Sequence, residues 1–308
     1  MLKKNTSPFF WGFIICLLGA VCFSTKAIFV KLAYRDTQVD AVSLLALRMI
    51  FSLPFFLISA AVYSSKESNV KFTTKQWIYV AFIGCLGYYI SSLLDFLGLQ
   101  FVTAGIERLI LFIYPTLVLL MNSMLFKQKI KPIQWLAVAI TYFGLSLAFF
   151  SEVDLASTQQ ENFLWGSFLI FVCAFTYALY IVGSGKLIPL VGAVKFNSYA
   201  MSFACAGVLL HFFITSEQSL IALSPLVYTY SFLMAVLSTV IPSYLVTMGI
   251  RRIGSDNAAI VGSVGPVSTI LLAYFFLNES VFAMQIVGTC MILIGVILIG
   301  RGKKSEVS

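Results

Sequence analysis

Residues 98–120, GLQFVTAGIERLILFIYPTLVLL, decide the fold of this chain, because a stretch of the same plan, GIRRIGSDNAAIVGSVGPVSTIL, returns 151 residues later at 249–271. At this offset Gly98, Pro115, Leu120, Gln134, Gly144 and Leu147 of the first copy match Gly249, Pro266, Leu271, Gln285, Gly295 and Leu298 of the second. Each copy contains an apolar helix with a proline, a short break and a second apolar helix. We therefore predict an internal duplication, with a first repeat over 1–150 and a second over 151–308.

The composition indicates an integral membrane protein. Of the 308 residues, 60% are hydrophobic and 10% are charged, whereas a soluble domain carries about 25% charged residues. A transmembrane helix needs roughly 20 apolar residues, and this rule predicts an all-α protein of ten transmembrane helices, at 8–30, 41–63, 77–98, 104–126, 133–150, 163–184, 194–215, 226–248, 256–277 and 282–300. Five spans per repeat is an odd number, so the second repeat is predicted to be inverted in the membrane, as in many secondary transporters.

Basic residues collect on one side of the predicted membrane. With a cytoplasmic amino terminus, the inner segments hold Lys and Arg throughout, whereas the outer loops hold only Lys31 and Arg35. This positive-inside pattern predicts that both termini are cytoplasmic. The net charge of +8 then follows from topology, with anionic lipid headgroups as the partner of the inner face and no need for nucleic acid.

Motifs for primary pumping or metal chemistry are absent from the sequence. It contains no Gly-rich nucleotide-binding loop ending in Gly-Lys-Ser/Thr and no zinc-binding pair of histidines. The six cysteines all lie in predicted spans without metal-ligand spacing, as expected of small packing residues. We therefore expect no cofactor, no metal and no catalytic residues, and we do not expect ATP-driven transport by this chain alone.

Ionisable residues within the predicted spans form the candidate site. A charge near the bilayer centre costs from about 2.5 kcal/mol upward, so such residues usually face a cavity or a partner and mark a substrate or ion path. At 1.5 Å rise per residue, five of them share the outer third of the membrane: Lys26, Arg48, Asp95, Glu107 and Arg108. We predict pairing across helices, with the remaining positive charge available to an anion or a substrate carboxylate. An ion-pair lock that only gates the protein, or snorkelling to the headgroups, are the alternatives.

Polar side chains on two spans predict a cavity between the repeats. Helical spacing places Tyr88, Ser91, Ser92 and Asp95 on one face, and Tyr177, Tyr180 and Ser184 on another. Interhelical hydrogen bonding as packing would explain the same stripes. Pro115 and Pro266 lie within the paired fourth and ninth spans, where each removes a backbone hydrogen bond. They are predicted to act either as hinges or as fixed bends.

The chain resembles the EamA family of the drug/metabolite transporter (DMT) superfamily. The resemblance rests on the two five-helix repeats, on the proline in the fourth helix of each, and on Leu277-Asn278-Glu279-Ser280 followed by Gln285, Gly288 and Gly295. The stretches 23–31, 45–49, 95–100 and 107–115 are similar to one bacterial branch of that family. In the first copy, Lys127-Gln128-Lys129 replaces the glutamate that the pattern expects, whereas the second copy keeps Glu279.

The resemblance implies a multi-pass carrier of the bacterial inner (plasma) membrane, often an exporter of amino acids or other small metabolites. We accordingly predict a secondary exporter of a small polar or zwitterionic metabolite, working by alternating access. Asp95 or Glu107 would carry a coupling proton, unless the protein is a facilitator. The alternatives are an exporter of hydrophobic cations or drugs, an intramembrane enzyme using Lys26, Asp95 and Glu107 as acid and base, and a membrane scaffold.

Overall fold

The computed structural model of the protein describes residues 8–65, 70–127, 129–156, 162–216, 218–262 and 264–304. Within these ranges all regular structure is helical. In chain order the helices are α1 (Pro8–Asp36), α2 (Ala41–Ser64), α3 (Thr74–Gly98), α4 (Ala104–Leu111), α5 (Tyr114–Phe126), α6 (Pro132–Ala156), α7 (Phe163–Val191), α8 (Ala193–Thr215), α9 (225–262), α10 (Val264–Leu277) and α11 (Ala283–Lys304).

The helices have the lengths and compositions of membrane spans. Among the described residues, eight helical segments are long and apolar enough to cross a bilayer, with α4 and α5 counted as one segment. Two shorter apolar helices lie at Val264–Leu277 and Ala283–Gly295. The prediction of an all-helical protein is confirmed for the described residues, and its apolar helices fit an integral membrane protein. The count of ten transmembrane helices and the inversion of the second repeat stay predictions.

Local capping explains where several helices begin. The Asp40 side chain accepts a hydrogen bond from the Ser43 amide at 2.8 Å before α2. Thr73 and Gln76 form a capping box at the start of α3, and Thr103 accepts from the Ile106 amide before α4. Such caps satisfy backbone donors that have no partner within the helix.

Pro115 ends the helix that precedes it. A proline ring clashes with the carbonyl four residues earlier and offers no amide hydrogen. Pro115 opposes residue 111, where α4 ends. The predicted span 104–126 is therefore two helices joined by a turn at Phe112 and Ile113, and Pro115 lies in the first turn of the second. Pro266 lies in α10.

The gap between the predicted spans 226–248 and 256–277 is helical, because α9 continues through 249–255 to Gly262. Arg251 and Arg252 in this gap are exposed, and arginine is a good helix former.

Helices α3 and α9 each contain a short π-helical segment, at Cys85–Ile90 and Val236–Val240. The two segments begin 151 residues apart, at the offset that relates the two sequence copies. π segments are rare and often occur at functional sites. Their matched positions support the duplication independently of residue identity.

The two predicted copies, 1–150 and 151–308, interlock. Helix α1 of the first copy packs against α9 and α10 of the second, and α7 of the second packs against α3, α4 and α5 of the first. Equivalent helices of the two copies also pack together, since α2 contacts α8 and α6 contacts α11. The α6–α11 contact is close because Gly288 lies against the Gly144 carbonyl and Ala148. Any cavity at the centre is therefore built from both copies.

Candidate functional site

A cavity of about 110 Å³ lies between the two copies. Seven of the predicted site residues line it: Lys26, Arg48, Tyr88, Ser92, Asp95, Arg108 and Tyr177. Two more, Glu107 and Tyr180, lie directly behind this lining, where Glu107 bonds Lys26 and Tyr180 stacks on Tyr177. The lining also includes apolar or small residues, among them Cys16, Ala20, Val246, Ala258 and Gly262. The fold thus gathers the predicted polar residues around one space.

One lysine serves two buried carboxylates. The Nζ atom of Lys26 on α1 lies 2.6 Å from Oδ2 of Asp95 on α3 and 3.2 Å from Oε1 of Glu107 on α4. Asp95 and Glu107 are fully buried. Among the described residues, Asp95 Oδ1 and Glu107 Oε2 have no hydrogen-bond partner. The cross-helix pairing predicted for the charge cluster is present for Lys26 alone of its three cations.

Arg48 is a buried cation without a carboxylate partner among the described residues. Its side chain is 2% exposed on α2, and its Nε donates to the Thr239 hydroxyl of α9 at 2.6 Å. The guanidinium lies 5.4 Å from the centre of the Phe96 ring. Its Nη1 has no partner in the described part of the chain. A buried donor of this kind is costly to leave unpaired, and this one belongs to a residue that lines the cavity.

Arg108 is the second such cation. Its Nη2 donates to the Ser24 hydroxyl at 3.1 Å, and its Nε is buried without a partner among the described residues. The guanidinium lies against Gly265 of α10, where any added Cβ would come within 3.1 Å of Nη2. The missing side chain at Gly265 therefore gives Arg108 its place beside the cavity.

Aromatic rings form another wall. Tyr88 packs edge-on against Tyr180 at 4.9 Å, and Tyr177 packs edge-on against Tyr114 at 5.2 Å, both measured between ring centroids. The bulge of α3 allows this, because Gly87 lies in direct contact with the Tyr180 ring. The cavity therefore combines guanidinium donors, a lysine-bonded carboxylate and phenol rings packed edge-on.

Sequence comparison decides the class of protein. The sequence model of the EamA-like transporter family matches this chain twice, at residues 10–150 and at residues 164–301. The chain belongs to the EamA-like transporter family. The resemblance predicted from the sequence is thereby confirmed, and the EamA-like protein is a multi-pass membrane protein of a transporter family.

Curated relatives of this EamA-like protein carry transporter names. A Bacillus subtilis (strain 168) protein named an uncharacterized transporter, YcbK, is 34% identical over 283 residues, covering 90% of this chain and 88% of the relative. A Synechocystis protein named an uncharacterized transporter, sll1319, is 25% identical over 317 residues, covering 96% and 94%. A Clostridium kluyveri protein, also named an uncharacterized transporter, is 24% identical over 294 residues, covering 93% and 92%. These names favour a transporter over an enzyme.

A solved crystal structure of another protein has the same fold. It superposes with a TM-score of 0.68 at 15% sequence identity, covering 96% of this chain and 98% of the other. At this identity the likeness concerns the fold alone. The helical arrangement of the EamA-like protein is therefore one that a crystal structure also adopts.

Two contacts of the EamA-like protein were missed by sequence reasoning. The first is the contact of Thr239 with Arg48. Thr239 lies in the π segment of α9, and a regular helical periodicity does not predict the direction of a side chain there. Glu279, noted only as part of a family pattern, accepts from the amides of Ala104 at 3.0 Å and Gly105 at 3.3 Å. A carboxylate from the second copy thus caps the α4 helix of the first, where the helix dipole favours a negative charge.

Proposed function

We propose that this protein is a secondary transporter that exports a small polar or zwitterionic, amino-acid-like metabolite by alternating access. The observation that carries the proposal is a cavity lined by two guanidinium groups with unpaired buried N–H donors, Arg48 Nη1 and Arg108 Nε. Arginine holds carboxylates through charge-assisted hydrogen bonds. A substrate carboxylate would satisfy donors that no described residue satisfies.

The charge balance of the site supports an anionic group on the substrate. Lys26, Arg48 and Arg108 carry three positive charges against two carboxylates, Asp95 and Glu107, so one anionic group balances the set. The carboxylate pair is shared by one lysine, and Asp95, which lines the cavity, has an Oδ1 atom without a hydrogen-bond partner among the described residues. A substrate ammonium group would bond to Asp95 Oδ1 while the substrate carboxylate bonds to the arginines.

The duplicated architecture supports alternating access. The matched π segments, the reciprocal packing of α1 and α7 against the other copy, and the double match to the family model all favour two related repeats. In inverted-repeat carriers the substrate lies between the repeats, which rock around it. We place both termini in the cytoplasm of a bacterium from the distribution of Lys and Arg, and we propose export from the family resemblance.

Proton coupling would use the carboxylate pair. Two buried carboxylates that share one lysine cannot both stay charged without cost once that lysine moves. Protonation of Asp95 or Glu107 would accompany any opening that separates them from Lys26. A facilitator would instead keep the Lys26 bridge closed throughout its cycle. If an imposed proton gradient leaves the transport rate in sealed vesicles unchanged, proton coupling is excluded.

The aromatic wall supports a second candidate, an exporter of hydrophobic cations. Tyr88, Tyr114 and Tyr177 line the cavity beside Asp95, and aromatic faces bind organic cations. This candidate requires that a cation displace Lys26 from its carboxylates.

The test is a ligand screen by thermal stability, because a ligand that binds only the folded state raises the melting temperature. The purified protein in detergent is tested against amino acids, nucleobases, organic acids, polyamines and quaternary amines. We expect stabilisation by carboxylates, weakened in Arg48→Gln and in Arg108→Gln. Arg251→Gln serves as the matched control, since Arg251 is exposed and does not line this cavity. Stabilisation by quaternary amines alone would replace the proposal with the second candidate.

A further inference from the structure

We propose that Thr239 is a positioning residue, which holds Arg48 of the opposite copy in the pose that presents Nη1 to a substrate carboxylate. The inference rests on the proposed function, since it takes Arg48 as the anion contact. Thr239 does not line the cavity itself and would act only through Arg48.

The Thr239 hydroxyl both accepts and donates a hydrogen bond. Its oxygen accepts from Arg48 Nε at 2.6 Å, and its proton is donated to the Met234 carbonyl at 2.9 Å. A hydroxyl has one proton to donate and lone pairs to accept with, so the two bonds are compatible. With the proton committed to Met234, the oxygen faces the guanidinium as an acceptor.

The π segment sets this geometry. In a regular turn a threonine hydroxyl reaches back to the carbonyl four residues earlier, as Thr247 does with Ser243 on the same helix. Thr239 instead reaches Met234, five residues earlier, because α9 is wider over Val236–Val240. The added residue of the bulge turns the hydroxyl toward α2 and Arg48.

The arrangement has a counterpart in the first copy. Thr239 lies 151 residues after Tyr88, which occupies the π segment of α3 and lines the cavity. Tyr88 contacts Tyr180 of the second copy, whereas Thr239 contacts Arg48 of the first. Each bulge therefore contacts a side chain of the other copy, Arg48 in the cavity lining or Tyr180 directly behind it.

Removing the hydroxyl would leave Arg48 without its side-chain acceptor. With Nε and Nη1 both unpaired in a 2% exposed site, the guanidinium would turn to find other acceptors. A carboxylate would then have to reorder it on binding, which weakens affinity without changing the charge of the site.

The test compares Thr239→Val with Thr239→Ser and with the matched control Thr247→Val. Thr247 is a buried threonine of the same helix, and among the described residues its hydroxyl bonds only within that helix. The probes are glycine, leucine, phenylalanine, glutamate, lactate and succinate, and Kd is measured by titrating melting temperature. We expect Thr239→Val to weaken the stabilising carboxylates roughly tenfold, with Thr239→Ser and Thr247→Val near wild type.

A double-mutant cycle separates positioning from general damage. In the Arg48→Gln background, Thr239→Val should leave Kd unchanged, because its effect passes through Arg48. Two outcomes overturn the positioning role and leave the proposed function standing, both with Arg48→Gln weakening binding. In the first, Thr239→Val has the same Kd as Thr247→Val. In the second, Thr239→Val weakens binding by the same factor in the Arg48→Gln background as in the wild type. If no probe stabilises the wild type, or Arg48→Gln leaves Kd unchanged, the proposed anion contact fails and the positioning role fails with it.

Discussion

Two fully buried carboxylates, Asp95 and Glu107, depend on a single cation contributed by α1. Breaking a buried ion pair by removing one partner is strongly destabilising, because it leaves an uncompensated charge. Lys26 therefore holds α1, α3 and α4 together as well as facing the cavity. The other two cations, Arg48 and Arg108, bond to hydroxyl groups instead.

Lys26→Gln should lower the free energy of unfolding by about 3–5 kcal/mol, measured as a fall in melting temperature in detergent. Adding Glu107→Gln to the same chain should recover part of the loss, because one of the two orphaned charges is then gone. Lys75→Gln is the control, since Lys75 is exposed. Equal melting of Lys26→Gln and Lys75→Gln would contradict the bridging role.

At the scale of helices, the π segments explain why some contacts between helices were predictable from the sequence and others were not. The depth of Lys26, Asp95 and Glu107 follows from residue spacing along regular helices, so their meeting was predictable. The Arg48–Thr239 contact was not, because a π bulge shifts the side chains that follow it relative to a 3.6-residue periodicity.

The cap on α4 by Glu279 gives an element-scale prediction. Glu279→Ala should destabilise the protein by about 1 kcal/mol and speed hydrogen exchange at the Ala104 and Gly105 amides. Glu279→Gln keeps an acceptor oxygen and should lie between Ala and wild type. Unchanged exchange at both amides in Glu279→Ala would show that the cap does not restrain α4.

The close contact between α6 and α11 gives a second prediction at the scale of helices. A Cβ at Gly288 would meet the Gly144 carbonyl and approach the Ala148 Cβ to 2.8 Å, so Gly288→Ala should lower the melting temperature. Gly185→Ala is the matched control, because nothing lies within 4 Å of its added Cβ; that change should be neutral or stabilising. If both substitutions raise the melting temperature, the close packing of α6 on α11 is wrong.

At the scale of the whole molecule, the two copies are interlocked rather than side by side. Each first helix of a copy, α1 or α7, packs on helices of the other copy, and the cavity is lined from both. The 151-residue offset in the sequence predicts the duplication. The exchange of helices between copies was not predictable, because identical residues at a fixed offset do not say which helices touch.

Inversion of the second repeat makes a topology prediction. In a cysteine-free background, Gln38→Cys and Ser219→Cys should react with a membrane-impermeant maleimide added to intact cells. Ser65→Cys and Arg252→Cys should react only after the membrane is opened. Labelling of Arg252→Cys in sealed cells would contradict the inverted arrangement.

The central claim, that a cavity shared by both copies carries an intact substrate through Arg48, is tested most directly by counterflow. Proteoliposomes loaded with the carboxylate that best stabilises the protein are diluted into the same compound in radiolabelled form. We predict transient accumulation of chemically unchanged label by the wild type, and by Arg48→Gln only at concentrations at least tenfold higher. Absence of accumulation by the wild type, an altered product, or an Arg48→Gln variant with wild-type affinity would contradict it.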